Sequence, residues 1–89
     1  MRVIGLDVHR TFAAVAVLDN TQPSHPGRVD LTREAVLAFG GKLRPDDEVV
    51  IGATVNTAMI VRLLRPFVGK VVIANPLQVR AIDDHVALR

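Results

Sequence analysis

The chain opens on two apolar runs parted by a short polar break. Val3-Ile4-Gly5-Leu6-Asp7-Val8 carries a single acid near its end, His9-Arg10 interrupts it, and Thr11-Phe12-Ala13-Ala14-Val15-Ala16-Val17-Leu18 follows. This pattern predicts a buried strand over residues 2–8, a tight turn, and an antiparallel partner strand over 11–18. Alternation puts Val3, Gly5 and Asp7 on one face and Ile4, Leu6 and Val8 on the other. Both faces are mostly apolar, which marks a central strand covered on two sides. Gly5 leaves either a gap beside Asp7 for a ligand or room for a closely packed helix.

Further along, residues 19–27 (Asp-Asn-Thr-Gln-Pro-Ser-His-Pro-Gly) are dense in turn formers and predict a surface loop. Residues 28–31 predict a short third strand. Thr32 or Asp30 then caps a helix whose apolar stripe is Ala35, Val36, Phe39 and Leu43, with Glu34 in its first turn and Gly40-Gly41 weakening its second half. Residues 44–48 (Arg-Pro-Asp-Asp-Glu) predict a turn with solvated acids.

The β-branched run at 49–53 predicts another buried strand. Asn56 or Thr57 caps a second helix with Met59, Ile60, Leu63, Leu64 and Phe67 at one-face spacing and Arg62 and Arg65 outside. Pro66 and Gly69 end it. Residues 70–74 predict a further strand, and Asn75-Pro76 opens a last helix with Val79, Ile82 and Val86 on one side.

A hairpin and a short strand, followed by two strands linked through helices, predicts an α/β fold. Three antiparallel strands join two parallel ones through right-handed crossovers. That is the element order of a ribonuclease-H-like mixed sheet, with the first strand central. Ligands in such sheets gather at the carboxyl ends of the parallel strands, where Asp7 closes the first strand and Gly52 to Val55 closes the next parallel strand beside it.

Composition narrows the classes. A chain of 89 residues makes one domain, residues 1–89, and buries only about 60 to 65 per cent of its unfolded surface. Apolar residues make up 49% and aromatics 3%, so the core is aliphatic. With no Cys there is no disulfide framework and no thiolate metal site, which fits a reducing, cytoplasmic setting. No apolar run reaches membrane-spanning length and no signal peptide is visible, so no membrane is expected. The net charge of +2 is spread over the chain without a basic run, a weak footprint for nucleic acid.

Asp7 is the chemical anomaly. A carboxylate in a strand of Val, Ile, Gly and Leu costs several kcal/mol to desolvate unless a metal, a base or hydrogen-bond donors meet it. The bland alternative is a strand-end carboxylate accepting from turn amides or from Thr11. His9 and Arg10 read as solvated turn residues. His9, His25 and His85 show no metal-ligand spacing, and Asn56 is explained by helix capping.

The stretches Gly5-Leu6-Asp7-Val8-His9-Arg10, Gly52-Ala53-Thr54-Val55-Asn56-Thr57, Val61-Arg62-Leu63-Leu64 and Val72-Ile73-Ala74-Asn75-Pro76-Leu77-Gln78-Val79-Arg80-Ala81-Ile82 resemble the N-terminal part of DEDD transposases. These are insertion-sequence enzymes of the IS one-ten class, in which a RuvC-like domain works with a guide RNA. The resemblance runs through nearly the whole chain in the family's order, and the Ala-Asn-Pro-Leu-x-Val-x-Ala-Ile stretch is its most specific piece.

The resemblance implies DNA transposition and recombination, with DNA and guide RNA as partners and a possible homo-oligomer. It also implies a Mg²⁺ or Mn²⁺ site in which the first catalytic and metal-binding carboxylate is Asp7. The family's catalytic Glu falls on Gly52, and the Gly of that motif falls on Val55. The final acidic pair, in a Lys-Thr-Asp-x-x-Asp type segment, would begin beyond Arg89, and the family's C-terminal part with its serine-nucleophile domain is expected to be absent. Asp83 and Asp84 lack the pair's spacing. With one carboxylate of four, the expectation is a truncated or decayed transposase product that binds the cation poorly and is catalytically inactive.

A sugar-kinase or actin-like ATPase fragment also opens with an Asp-bearing hairpin, but phosphate-hugging hairpins use Gly where this chain has Val8, His9 and Arg10. A non-catalytic RNA-contacting or dimerisation module would keep the fold without the chemistry.

Overall fold

The computed structural model describes residues 2–20, 22–52 and 57–74. Its elements in order are β1 (Arg2–Val8), β2 (Phe12–Asp19), β3 (Gln22–Asp30), α1 (Arg33–Gly40), β4 (Glu48–Gly52), α2 (Thr57–Leu64), a 3₁₀ turn (Arg65–Phe67) and β5 (Lys70–Ala74). The helix expected from residue 76, and Asn56 as a cap, lie outside the described residues. No helix of the described residues is long and apolar enough to cross a membrane.

The strands form one mixed sheet in the order β3-β2-β1-β4-β5. The β1–β2 and β2–β3 pairs are antiparallel, while β1–β4 and β4–β5 are parallel. β1 is therefore central and is the strand on which the two kinds of pairing meet. This mixed α/β architecture follows from connection length. A two-residue turn at Arg10-Thr11 can only reverse the chain, and a helical crossover can bring it back parallel.

Alternation along the strands sorts the core. Ile4, Leu6, Ala13, Val15, Val49 and Ile51 form one buried sheet face, and Val36 of α1 with Ile60, Leu63 and Leu64 of α2 close over it. The described helices thus share one side of the sheet. On the other side of β1, Gly5 is buried while Val3 and Asp7 are half-buried. The stripes are buried in part: Val36 on α1 and Ile60, Leu63 and Leu64 on α2 are buried, Ala35, Phe39 and Met59 are half-buried, and Leu43 and Phe67 lie past the helix ends. Thr32 starts α1: its side-chain oxygen accepts from the Ala35 N–H at 3.1 Å, satisfying one of the orphan donors of the first turn.

Two expectations need correction. The loop foreseen at 19–27 is mostly strand, because β3 begins at Gln22 and runs to Asp30. Asn20 takes the left-handed conformation at φ 57°, which closes a two-residue hairpin between Asp19 and Gln22. Pro23 and Pro26 are tolerated because β3 is an outer strand. A bulge between Val15 and Val17 absorbs the irregularity, with Gly27 at φ 121°.

The second correction concerns the acidic turn. Asp47 is 1% exposed, not solvated. Its carboxylate accepts from Arg2 Nε at 3.0 Å, from Arg2 Nη2 at 2.6 Å and from the Arg44 backbone N–H at 2.8 Å. The Arg2 hydrogen bond holds the Asp47 carboxyl below the usual aspartate range, against the opposing pull of burial. The same bond raises Arg2. This fork pins the start of β1 to the entry of β4, at the end of the sheet opposite Asp7.

Candidate functional site

Asp7 sits at the carboxyl end of β1, one residue before the strand finishes. In register it lies opposite Ala14 on β2 and Gly52 on β4. Ala14 in turn faces Arg28 on β3, and Gly52 faces Ala74 on β5. One row across the sheet therefore reads Arg28, Ala14, Asp7, Gly52, Ala74. Across the row the carboxylate is flanked by Ala14 and Gly52, which bring no side chain larger than a methyl group, and it is 29% exposed.

The hairpin turn supplies what meets it. The His9 N–H donates to the Phe12 carbonyl at 2.8 Å, which closes the turn and folds His9 back. Its Nε2 then lies 3.5 Å from Asp7 Oδ2, and its ring stacks on Phe12 with centroids 4.7 Å apart at 25°. The Arg28 guanidinium carbon lies 4.8 Å from the centre of the Phe12 ring. His9 and Arg10 are both exposed, as expected of turn residues, and His9 in addition lies against Asp7 and Phe12.

Sequence reasoning singled out Asp7 and the Gly52 position beside it, and the parallel register places those two side by side. It missed Phe12 and Arg28. The only signal for that pair was cross-strand proximity, which becomes visible once β3 is known to extend through residue 28.

Electrostatically the site is mixed. Asp7 and a protonated His9 would attract across 3.5 Å, a distance too long for a strong hydrogen bond and suited to an ion pair. The Arg28 backbone is two strand spacings from that of Asp7, about 10 Å.

The donor set does not fit a two-cation centre. Hard divalent cations in such centres are held by several carboxylate oxygens. Here the carboxylate's partner is an imidazole, and its neighbour across the parallel pair has no side chain. Among the described residues no three His, Cys, Asp or Glu side chains gather into a possible metal group.

Fold and site together define a small α/β domain with a five-stranded mixed sheet and a carboxylate at the end of its central strand. No family model matches the chain, and no curated protein matches it at a significant level.

Proposed function

We propose that this chain is an N-terminal portion of a RuvC-like transposase domain of the DEDD type, retaining the first acidic position and lacking the second. The observation that carries the reading is Asp7 at the carboxyl end of the central strand, in register with Gly52 on the adjacent parallel strand. The sheet order β3-β2-β1-β4-β5 supports it, since a ribonuclease-H-like sheet has its first strand central between an antiparallel and a parallel half. In that reading Gly52 occupies the position of a catalytic Glu. These 89 residues then contact nucleic acid without cutting it. The His9, Phe12 and Arg28 cluster favours such contact: His9 and Arg28 are exposed, Phe12 between them is half-buried, and together they offer aromatic rings and a cation.

The test restores the missing group. Gly52→Glu should raise Mn²⁺ affinity about tenfold, because affinity of an oxygen site follows its count of charged ligands. Free Mn²⁺ is followed by electron paramagnetic resonance, and Asp7→Ala in the Gly52→Glu background should abolish the gain. Neither the parent nor Gly52→Glu should cleave branched DNA. Metal-dependent cleavage by the parent chain that vanishes in Asp7→Ala would overturn the inactive assignment. An unchanged Mn²⁺ affinity in Gly52→Glu would overturn the site's ancestry.

A further inference from the structure

Among the described residues β3 is the outer strand on the antiparallel side of the sheet. The Leu31 N–H donates to the Thr11 carbonyl of the β2 side at 2.9 Å. Ladder alternation then turns the polar groups of Val29 and Gly27 inward to β2 and those of Arg28 and Asp30 outward. Arg28 and Asp30 are both exposed, and Val29 between them is half-buried. Beside this edge lies a groove of about 480 Å³ lined by Val15, Val29, Ala35, Ala38, Phe39 and Lys42.

We propose that this edge docks a second copy of the same chain, β3 against β3, antiparallel about a two-fold axis through Val29. That register sets Arg28 opposite the partner's Asp30 and Asp30 opposite the partner's Arg28. Each opposed pair exchanges two backbone hydrogen bonds through groups that already point outward. Each also places opposite charges directly across the new ladder. The two Val29 side chains meet on the axis, on the side where the groove lies.

The same axis suits α1. Glu34 and Ala38 lie on α1 and Lys42 in the turn two residues past its end; all three are exposed, and Ala38 and Lys42 line the groove. With Ala38 near the axis, Glu34 of each copy faces the partner's Lys42, and alanine lets the two helices approach. Both charge patterns are self-complementary about their midpoints, which an isologous interface requires and a docking site for an unrelated segment does not.

The two-fold pairing uses the β3 edge of both copies and so closes at a dimer, and the bulge limits its length. Pro26 offers no N–H, and the register shift beside Gly27 interrupts the ladder. The usable edge is therefore short, as natural sheets arrange to avoid open-ended addition.

Sedimentation equilibrium of the full chain over a range of concentrations reads the association. Arg28→Asp and Asp30→Arg each set like charges opposite one another at two symmetry-related places. Each should raise the dimer dissociation constant about tenfold or more. The double variant exchanges the charges and should return within about threefold of the parent. Far-UV circular dichroism checks that each variant folds. Because Arg28 also rests on Phe12, the Glu34→Lys and Lys42→Glu pair repeats the test away from that ring, with the same loss in each single variant and recovery in the double. A parent chain that is monomeric at every concentration would overturn the proposal. So would a dimer indifferent to all four single reversals, or double variants as weak as the singles.

Discussion

Replacing Asp47 by Ala removes the acceptor that ties β1 to β4. The carboxylate is buried and receives three hydrogen bonds, two from the Arg2 guanidinium and one from the Arg44 backbone. Breaking a buried ion pair by deleting one partner costs about 3 to 5 kcal/mol. The lower figure applies here, since the Arg2 side chain keeps 17% exposure and water can reach it once Asp47 is gone. A chain of 89 residues has about 4 to 13 kcal/mol of stability to lose. A loss of about 3 kcal/mol lowers the melting temperature by about 12 to 24 °C.

The protein has no Trp and no Tyr, so unfolding is followed by circular dichroism at 222 nm and not by intrinsic fluorescence. Asp47→Asn keeps an acceptor for Arg44 and loses the charge, and should fall between the parent and Asp47→Ala. The pH dependence gives an independent reading. The Asp47 carboxyl is held below its ordinary value by Arg2, so its stabilisation is complete above the ordinary aspartate pKa of about 3.9. It is lost as the pH falls through the lowered, folded-state value. The stability gap between the parent and Asp47→Asn should therefore narrow in acid. A loss below about 1 kcal/mol in Asp47→Ala, or a gap that stays constant from pH 6 into the acid range, would refute the clamp.

Two further substitutions probe α1. Thr32→Ala removes the side-chain acceptor of the Ala35 N–H and should cost about 1 kcal/mol in a urea melt, with Thr32→Ser recovering most of it. Gly40→Ala would place a methyl carbon 2.5 Å from the Phe67 ring, so despite alanine's better helix propensity it should destabilise by about 1 to 3 kcal/mol. Combining it with Phe67→Leu should be less damaging than the sum of the two single changes, which a double-mutant cycle measures.

The elements legible from sequence are those whose cause is local. β1, β4 and β5 are short apolar runs bounded by turn residues, and α1 and α2 are stripes at helical spacing with a threonine at the start of each. The pairing of Asp7 with Gly52 was legible for a related reason, since each acts as the terminal position of a strand in a parallel pair. What escaped depends on partners distant in sequence. Residues 22–27 look like a loop because Pro, Ser, His and Gly are poor strand formers. They adopt strand geometry because the Asn20 turn lays them along β2 at a sheet edge where a missing N–H is harmless. Asp47 looked solvated in a run of acids, and its guanidinium partner is 45 positions away. The stack of His9, Phe12 and Arg28 draws on three separate segments, and no spacing rule within one element foretells it.

β1 also divides the molecule in time. Its antiparallel neighbour is reached through a two-residue turn, so the β1–β2–β3 half closes through short loops that cost little chain entropy. The parallel ladder from Val3 opposite Glu48 to Asp7 opposite Gly52 must instead span more than forty residues before it returns any contact. The meander should therefore assemble first and serve as the template on which β4, α2 and β5 are laid down. The Arg2–Asp47 fork then acts as the latch of the slow step, formed late in folding and expressed mainly in how long the native sheet stays shut.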